Sequence, residues 1–227
     1  MDSSGPLAGG LAQALPAGAQ VLLFLPNTPG WARAFFAVLA AGLQPILVDP
    51  RQSIDDLEAR LATSRPALIV TLDIGTVLDK LLRLLPLFPQ VQVRLARFAA
   101  ELPFPRNLLF PLLRGGGLAN VPDDPRFARI EALEAVPPDS SDAWQGPLIM
   151  PQGKVSQSDL AADIALLKAQ ATADDRWLLA APLASRAGLT ALFAALDAGS
   201  TLLLNPRLDP SSLEKLARQG RVTRRIE

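Results

Sequence analysis

The stretch VLLFLPNTPGWARAFFAVLAAGLQPILVDPR, residues 21–51, decides the fold class because it contains two short apolar runs separated by one helical pattern. Val21–Leu25 is apolar throughout and is closed by a proline-rich turn. Trp31–Ala41 then places apolar residues at helical spacing, and Gly42 follows where a helix C-cap is expected. Pro45–Val48 is the second apolar run. The stretch therefore predicts a strand, a helix and another strand.

The same alternation continues in the next forty residues. Ser53 is a good N-cap for a helix that extends to Ser64, and Asp55, Asp56 and Glu58 are favourably placed near its N-terminus. A third apolar strand is predicted at Ala67–Leu72 and a further helix after it. Strands that are apolar throughout are typical of parallel sheets covered by helices on both faces. The sequence therefore predicts an α/β fold with parallel-rich sheets.

The middle of the chain is less regular, and the alternation resumes after it. Val91–Leu95 is predicted as a strand, and Pro122–Asp142 as a loop with one short helix near Glu131. The second half predicts strands at Pro147–Met150, Trp177–Ala181 and Thr201–Leu204, and helices at Ser156–Gln170, Gly188–Asp197 and Pro210–Gln219. Val222-Thr223 is the start of one more candidate strand. We therefore predict a first βα subdomain at 1–135, a linker at 136–146 and a second, truncated βα subdomain at 147–227.

The composition limits the chemistry that the chain can perform. It has 227 residues, with 22 Lys and Arg balanced by 22 Asp and Glu, and it contains no cysteine, histidine or tyrosine. Without cysteine or histidine, disulfides, thiolate metal sites and serine–histidine catalysis are excluded. The zero net charge gives no indication of nucleic-acid binding. We predict no catalytic residue and no metal ligand in this chain.

Targeting features are absent from the sequence pattern. The N-terminus has an acidic residue at position 2 and no basic region before an apolar one, and no apolar run reaches the ~20 residues that span a bilayer. The expected location is therefore cytoplasmic. Leu102–Leu113 is an apolar, proline-punctuated segment that contains Arg106 and is followed by Arg114. It is interpreted either as a peripheral membrane contact or as a segment packed on the neighbouring subdomain.

Residues 146–167, GPLIMPQGKVSQSDLAADIALL, raise the question of a phosphate loop. A strand that leads through glycine and lysine into a helix is a common phosphate site, and Gly153 and Lys154 occupy that position. The alternative is an ordinary tight turn between strand and helix, with an exposed lysine. One glycine supplies few inward-pointing amides, which favours the turn. Ser185 is interpreted as a hydroxyl at a helix start, because no histidine exists to activate it as a nucleophile.

Several phrases, in order, resemble the N-terminal half of the AMP-forming adenylating enzymes, the acyl-CoA synthetase superfamily. Residues 21–51 look like the opening unit of that family, and SIDDLEARLATSRPALIVTLD (53–73) resembles its next helix and strand. LPFPRNLLFPLLRGGGLANVPDDPR (102–126) looks like a linker of the long-chain fatty-acid–CoA ligase branch. Residues 177–223 resemble the segment behind the substrate pocket. The resemblance implies that Ser185 and Gly188 contact substrate and that intact relatives use ATP and Mg²⁺.

The chain departs from the family pattern where the family binds ATP. In the family, the strand at Pro147–Met150 leads into a Ser/Thr/Gly loop that ends in Pro-Lys-Gly. Here that run is missing, and only Pro151-Gln152-Gly153-Lys154 stands in its place. Pro182-Leu183-Ala184-Ser185 lacks the histidine of the family's Pro-Leu-x-His phrase. The chain also ends before the later adenine-, Mg- and ribose-binding motifs and the C-terminal lid. The resemblance therefore implies a phosphate loop that has been deleted, and a chain that binds no ATP or Mg²⁺.

Three hypotheses follow from these observations. The first is a truncated, inactive relative of an AMP-forming fatty-acid–CoA ligase. The second is a non-catalytic binding or interaction module that uses an exposed sheet edge or a residual acyl pocket, with a fatty acyl ligand or a second copy of the chain as partner. The third is a gene product without a selected role.

Overall fold

A computed structural model describes residues 5–102, 119–133, 143–206 and 210–227. The chain forms two compact units. The first comprises Met1–Leu25 and Gly30–Gln145, and the second comprises Pro26–Pro29 and Gly146–Glu227. The mixed α/β architecture predicted from the sequence is confirmed. The short turn Pro26–Pro29 falls within the predicted first subdomain, whereas in the structure it belongs with the second unit.

From residue 20 to residue 96 the first unit alternates strands and helices in the predicted order, and it also has a first helix that the sequence pattern does not predict. Its helices in the described residues are α1 (Gly5–Ala14), α2 (Pro29–Ala40), α3 (Ile54–Ser64) and α4 (Gly75–Leu84). Its strands are β1 (Gln20–Phe24), β2 (Gln44–Val48), β3 (Leu68–Leu72), β4 (Gln92–Ala96) and β5 (Phe127–Arg129). Gly42 ends the α2 region with φ 69°, a left-handed conformation that glycine adopts without steric cost.

The five strands of this unit form a parallel sheet in the order β5-β4-β3-β1-β2. The central strands β1 and β3 are buried almost throughout, which is why their sequences lack the alternation of a half-exposed strand. Thr71 is a polar exception in β3, and its Oγ1 donates a 2.9 Å hydrogen bond to the carbonyl of Phe24. The helices cover this sheet through large buried side chains such as Trp31 and Phe35.

Buried Asp73 joins the carboxyl ends of three neighbouring strands. It follows β3, and its Oδ1 accepts a 2.8 Å hydrogen bond from the amide of Phe98, just after β4. Its Oδ2 lies 2.7 Å from Nη1 of Arg129, the last residue of β5. Because the Asp73 side chain is only 11% exposed, these partners offset the cost of burying its charge.

The second unit contains a hairpin, a three-stranded sheet and three helices in the described residues. The hairpin strands are β6 (Leu148–Met150) and β7 (Gly153–Val155). The remaining elements are α5 (Gln157–Lys168), β8 (Arg176–Leu179), α6 (Arg186–Ala198), β9 (Thr201–Leu204), α7 (Pro210–Gly220) and β10 (Arg224–Ile226). The sheet order is β10-β8-β9, with parallel pairs throughout. Its core centres on Trp177, Ala194 and Ala195.

Two strands are not recognisable in the sequence pattern, and one begins later than the pattern predicts. β5 lies within Pro122–Asp142, which is predicted as loop, and β7 lies where a turn is predicted. Each is three residues long, too short for a period-2 pattern to show. The strand expected from Val222 begins at Arg224 and pairs with β8. The predicted short helix near Glu131 is present as a 3-10 turn at Ile130–Leu133.

Candidate functional site

The β6–β7 hairpin occupies the position where the sequence raises the question of a phosphate loop. Leu148 pairs with Val155, Ile149 with Lys154 and Met150 with Gly153, so only Pro151 and Gln152 form the turn. The prediction that Gly153 and Lys154 are a turn joining strand directly to helix is therefore wrong. Both residues belong to a strand that returns alongside β6 before the helix begins.

The turn geometry explains why the hairpin cannot be recognised from the sequence. Two-residue hairpins usually carry Asn-Gly or a related dipeptide, because their turns require positive φ at one or both central residues. Pro151 has φ fixed near about −65° by its ring, and Gln152 is not among the residues with positive φ. The left-handed backbone falls instead on Gly153, with φ 127°. The residue with positive φ therefore comes directly after the two turn residues, rather than being one of them as in the usual hairpin sequences.

This turn offers little to an anion. A phosphate nest is formed by several successive amide groups that point into one concavity. Pro151 has no amide hydrogen, and Gly153 already pairs with Met150 across the ladder. At most the amide of Gln152 is added by the turn itself. Lys154 is exposed on β7, and a Cβ built on Gly153 would meet no atom within 4 Å, so the surroundings are open. The residues do not fit a triphosphate.

The helix after the hairpin begins as predicted. Ser156 has extended backbone, and its Oγ accepts a 3.1 Å hydrogen bond from the amide of Asp159. The hydroxyl also donates to Oδ2 of Asp159 at 2.6 Å, and the acidic side chain lies in the first turn, where the helix dipole favours it. The Ser-x-x-Asp pattern is thus a capping motif.

Ser185 is likewise an N-cap, at the start of α6. Its Oγ accepts a 3.1 Å hydrogen bond from the amide of Gly188 and donates a 2.7 Å bond to the carbonyl of Pro182. A Cβ on Gly188 would lie 2.0 Å from that same carbonyl oxygen, so the helix approaches the preceding loop as closely as a glycine allows. Ser185 and Gly188, the two residues that the resemblance assigns to substrate, therefore lie together.

A cleft of about 430 Å³ opens beside Ser185, at the carboxyl end of β8. It is lined mostly by apolar side chains, among them Pro182, Ala187 and Leu213, and by the oppositely charged Arg225 and Glu227. Arg225 Nε lies 2.9 Å from Oε1 of Glu227. The volume falls within the range of small-molecule sites, about 300–1,000 Å³.

Asn27 fixes one wall of this cleft, although the sequence pattern assigns it no role. Its side chain is 3% exposed; Nδ2 donates to the carbonyl of Ala181, and Oδ1 accepts from the amide of Leu183, both at 2.8 Å. Both partners flank Pro182. The only sequence signal is the Leu-Pro-Asn phrase at the end of β1, which does not indicate a partner 154 positions away.

Other residues singled out in the sequence are not among the residues that line the cleft. Asp56 in the first turn of α3 bonds Ser53 through its amide and its Oδ2, so it belongs to a helix cap. Among the described residues, no three His, Cys, Asp or Glu side chains form a group that could hold a metal ion. The Leu102–Leu113 segment lies outside the described residues apart from Leu102. Within the described ranges, no helix combines the length and apolarity needed to cross a membrane.

The family model for AMP-binding enzymes matches residues 2–133, more than half of the chain. The chain belongs to the AMP-binding enzyme family. The β6–β7 hairpin and the cleft beside Ser185 lie outside the matched residues. The long-chain-fatty-acid–CoA ligase of Bacillus subtilis (strain 168) is 31% identical over 98 residues, which are 43% of this chain and 17% of that ligase. The chain thus spans a small part of that relative.

Solved structures of other adenylating enzymes share the fold of this family member. Coronafacic acid ligase from Pectobacterium brasiliense matches 98% of the chain with a TM-score of 0.75 at 14% identity. A long-chain-fatty-acid CoA ligase from Rhodopseudomonas palustris also matches 98%, with a TM-score of 0.72 at 18% identity. These matches cover 42% and 53% of the solved chains. The predicted resemblance to the N-terminal part of acyl-CoA ligases is confirmed.

Proposed function

We propose that this chain is a non-adenylating relative of the AMP-forming fatty-acid–CoA ligases. It retains their N-terminal scaffold but lacks their binding site for the ATP phosphates. The two-residue turn of the β6–β7 hairpin carries the proposal. Adenylation requires donors held against the charge that develops on the phosphates. A turn of Pro151 and Gln152 supplies too few amides for that role.

The proposal assigns this chain a property that differs from the ATP binding seen in a structural relative. O-succinylbenzoate coenzyme A synthetase from Bacillus subtilis, which matches 98% of the chain with a TM-score of 0.59, was solved in complex with ATP and magnesium ion. Family membership implies that this chain binds ATP and Mg²⁺. The geometry of the hairpin argues that it binds neither. Lys154 is exposed on β7, so it supplies one cation without a surrounding cradle.

The test is pyrophosphate release from ATP and Mg²⁺ with fatty acids of several chain lengths, with the Bacillus subtilis ligase as the positive control. We expect no release above the acid-free background and no rise in melting temperature with ATP. Lys154→Ala should behave as the wild type. Release by the wild type that falls in Lys154→Ala would overturn the proposal and assign the lysine to ATP.

A binding role is the second candidate, and the cleft beside Ser185 favours it. Its apolar lining suits an acyl chain, and a fatty carboxylate would take the place of Glu227, which also lines the cleft, beside Arg225. Titration with palmitate by calorimetry should show saturable binding that Ala187→Phe removes, since Ala187 lines the cleft and is exposed. Ala161→Phe, on the exposed side of α5, is the matched control. Equal affinity in both variants would place the ligand elsewhere.

Self-association is the second way in which the chain could act as a binding module. Leu166 on α5 is 70% exposed, beside a groove whose lining also includes Leu167, Thr190 and Ile226 of β10. Exposed apolar surface next to a sheet edge favours association with a second copy. Light scattering after size exclusion should show a dimer that Leu166→Ser weakens. A monomer at all concentrations would remove this form of the proposal.

A further inference from the structure

Arg65 has a backbone conformation that arginine rarely adopts. It is the C-cap of α3, with φ 47° and ψ 57°, and its amide donates to the carbonyl of Leu61 at 2.8 Å. This left-handed position is usually held by glycine, because a Cβ there is crowded by backbone. A non-glycine residue with positive φ is a reason to ask what its side chain does.

The guanidinium of Arg65 has no hydrogen-bond or ion-pair partner among the residues that the structure describes. The hydrogen bond to Leu61 is made by the backbone amide of Arg65 and leaves the side chain unengaged. Arg126 and Arg129 of the same unit are, in contrast, engaged with Asp124 and Asp73. The charge of Arg65 is therefore available to a ligand.

A pocket of about 350 Å³ lies beside this arginine. Its walls are the end of α3 and the segment before β4, with Pro66, Leu87, Phe88 and Val91 among the lining residues. Leu87, one of these lining residues, is 60% exposed. Arg65 is the one charged residue among the described residues that line the pocket. The site thus combines an apolar wall with a single unpaired positive charge.

We propose that this pocket binds a small organic anion with an apolar body, whose negative group pairs with Arg65. The apolar walls remove the body of the ligand from water, while the guanidinium can bind a carboxylate through two parallel hydrogen bonds. A neutral ligand of the same shape leaves the guanidinium unpaired, and a fully polar anion leaves the apolar walls in water. Both features of the pocket therefore select the amphiphilic anion.

This site is separate from the functions proposed above. Pro66 precedes β3 and Val91 precedes β4, so the pocket lies at the amino ends of the parallel strands of the first unit. Ligands of open α/β sheets usually bind at the carboxyl ends. The cleft beside Ser185, in contrast, belongs to the second unit.

The experiment titrates the protein with 2-naphthoate and, in parallel, with neutral 2-naphthamide by isothermal calorimetry. Arg65→Gly removes the guanidinium and also relieves the left-handed backbone. Arg221→Gly is the matched control, because Arg221 has φ 49° and does not line this pocket. Leu87→Gln tests the apolar wall at an exposed position.

The two glycine variants should both melt about 2–4 °C higher than the wild type, since glycine suits the left-handed region. Naphthoate should bind the wild type at least about tenfold more tightly than naphthamide, and Arg65→Gly should abolish that difference. Leu87→Gln should weaken both ligands, and Arg221→Gly neither. An absence of naphthoate binding to the wild type, or equal naphthoate affinity in Arg65→Gly and Arg221→Gly, would overturn the proposal.

Discussion

The side-chain amide of Asn27 donates a 2.8 Å hydrogen bond to the backbone carbonyl of Ala181, 154 residues away. Its Oδ1 accepts from the amide of Leu183, so one carboxamide satisfies two buried backbone groups of the loop after β8. This loop leads into the cap of α6 and borders the cleft beside Ser185. The proline-rich turn at Pro26–Pro29 thereby shapes a site in the second unit.

Asn27→Ala should lower the free energy of unfolding by about 2–3 kcal/mol, because it leaves a buried carbonyl and a buried amide unsatisfied. Asn27→Asp should cost more at neutral pH, since its carboxylate faces the Ala181 carbonyl without a proton to donate. Urea unfolding followed by circular dichroism measures both variants, and the exposed Gln90→Ala is the control. Equal stability of Asn27→Asp and wild type would contradict the assigned orientation of the carboxamide.

The burial of Glu101 in the first unit predicts that folding stability depends on pH. Burial raises the pKa of Glu101 above its ordinary value of 4.5, although the amide of Gly30, 2.6 Å away, and the nearby Arg33 oppose that rise. Above pH 4.5 the folded state therefore keeps a proton that the unfolded state releases, and stability falls as pH rises through the raised pKa. Glu101→Gln lacks this proton exchange.

The expected result for Glu101→Gln is a stability, relative to wild type, that increases as pH rises from 4.5 to neutral. Urea unfolding at several pH values gives this difference directly. Glu58→Gln, at an exposed position of α3, controls for the loss of one negative charge. A relative stability of Glu101→Gln that is constant or decreases over this pH range would show that burial does not govern this carboxyl group.

Gly188 tests the close approach between α6 and the loop before it. In Gly188→Ala the new Cβ would lie 2.0 Å from the carbonyl oxygen of Pro182 and 2.8 Å from Cα of Leu183, and neither backbone atom can rotate away. We expect a loss of about 1–3 kcal/mol in the free energy of unfolding. Gly5→Ala, where no atom lies within 4 Å, should lose nothing. Similar thermal-unfolding midpoints for the two variants would argue against this packing.

Ser185→Ala distinguishes a helix cap from a reactive hydroxyl. The variant should lose about 1 kcal/mol of stability, because the amide of Gly188 loses its acceptor. Ser156→Ala should lose a similar amount, since Ser156 caps α5 in the same way. Chemical denaturation compares the two. A serine-directed phosphonate that labels Ser185 would be the opposite result, and would assign reactivity to that hydroxyl.

The sequence predicts what depends on local pattern and misses what depends on distant partners. The apolar runs of β1, β2 and β3 are recognisable because strands buried on both faces need apolar residues throughout. The caps at Ser53 and Ser185 are recognisable because a cap bonds residues three positions away. The role of Asn27 is not, because its partners are fixed only by the tertiary fold. The β7 strand is missed because Pro151-Gln152 is no hairpin signal.

Gly153 and Lys154 give the sharpest contrast within the hairpin. Gly153 has φ 127°, a conformation that L side chains rarely adopt, so Gly153→Ala should cost about 1–3 kcal/mol despite the open space around it. Lys154→Ala should change stability by less than about 0.5 kcal/mol, because Lys154 is exposed on β7. Thermal unfolding with and without ATP measures both. A larger effect at Lys154 than at Gly153, or one that appears only with ATP, would mean that the lysine holds an anion after all.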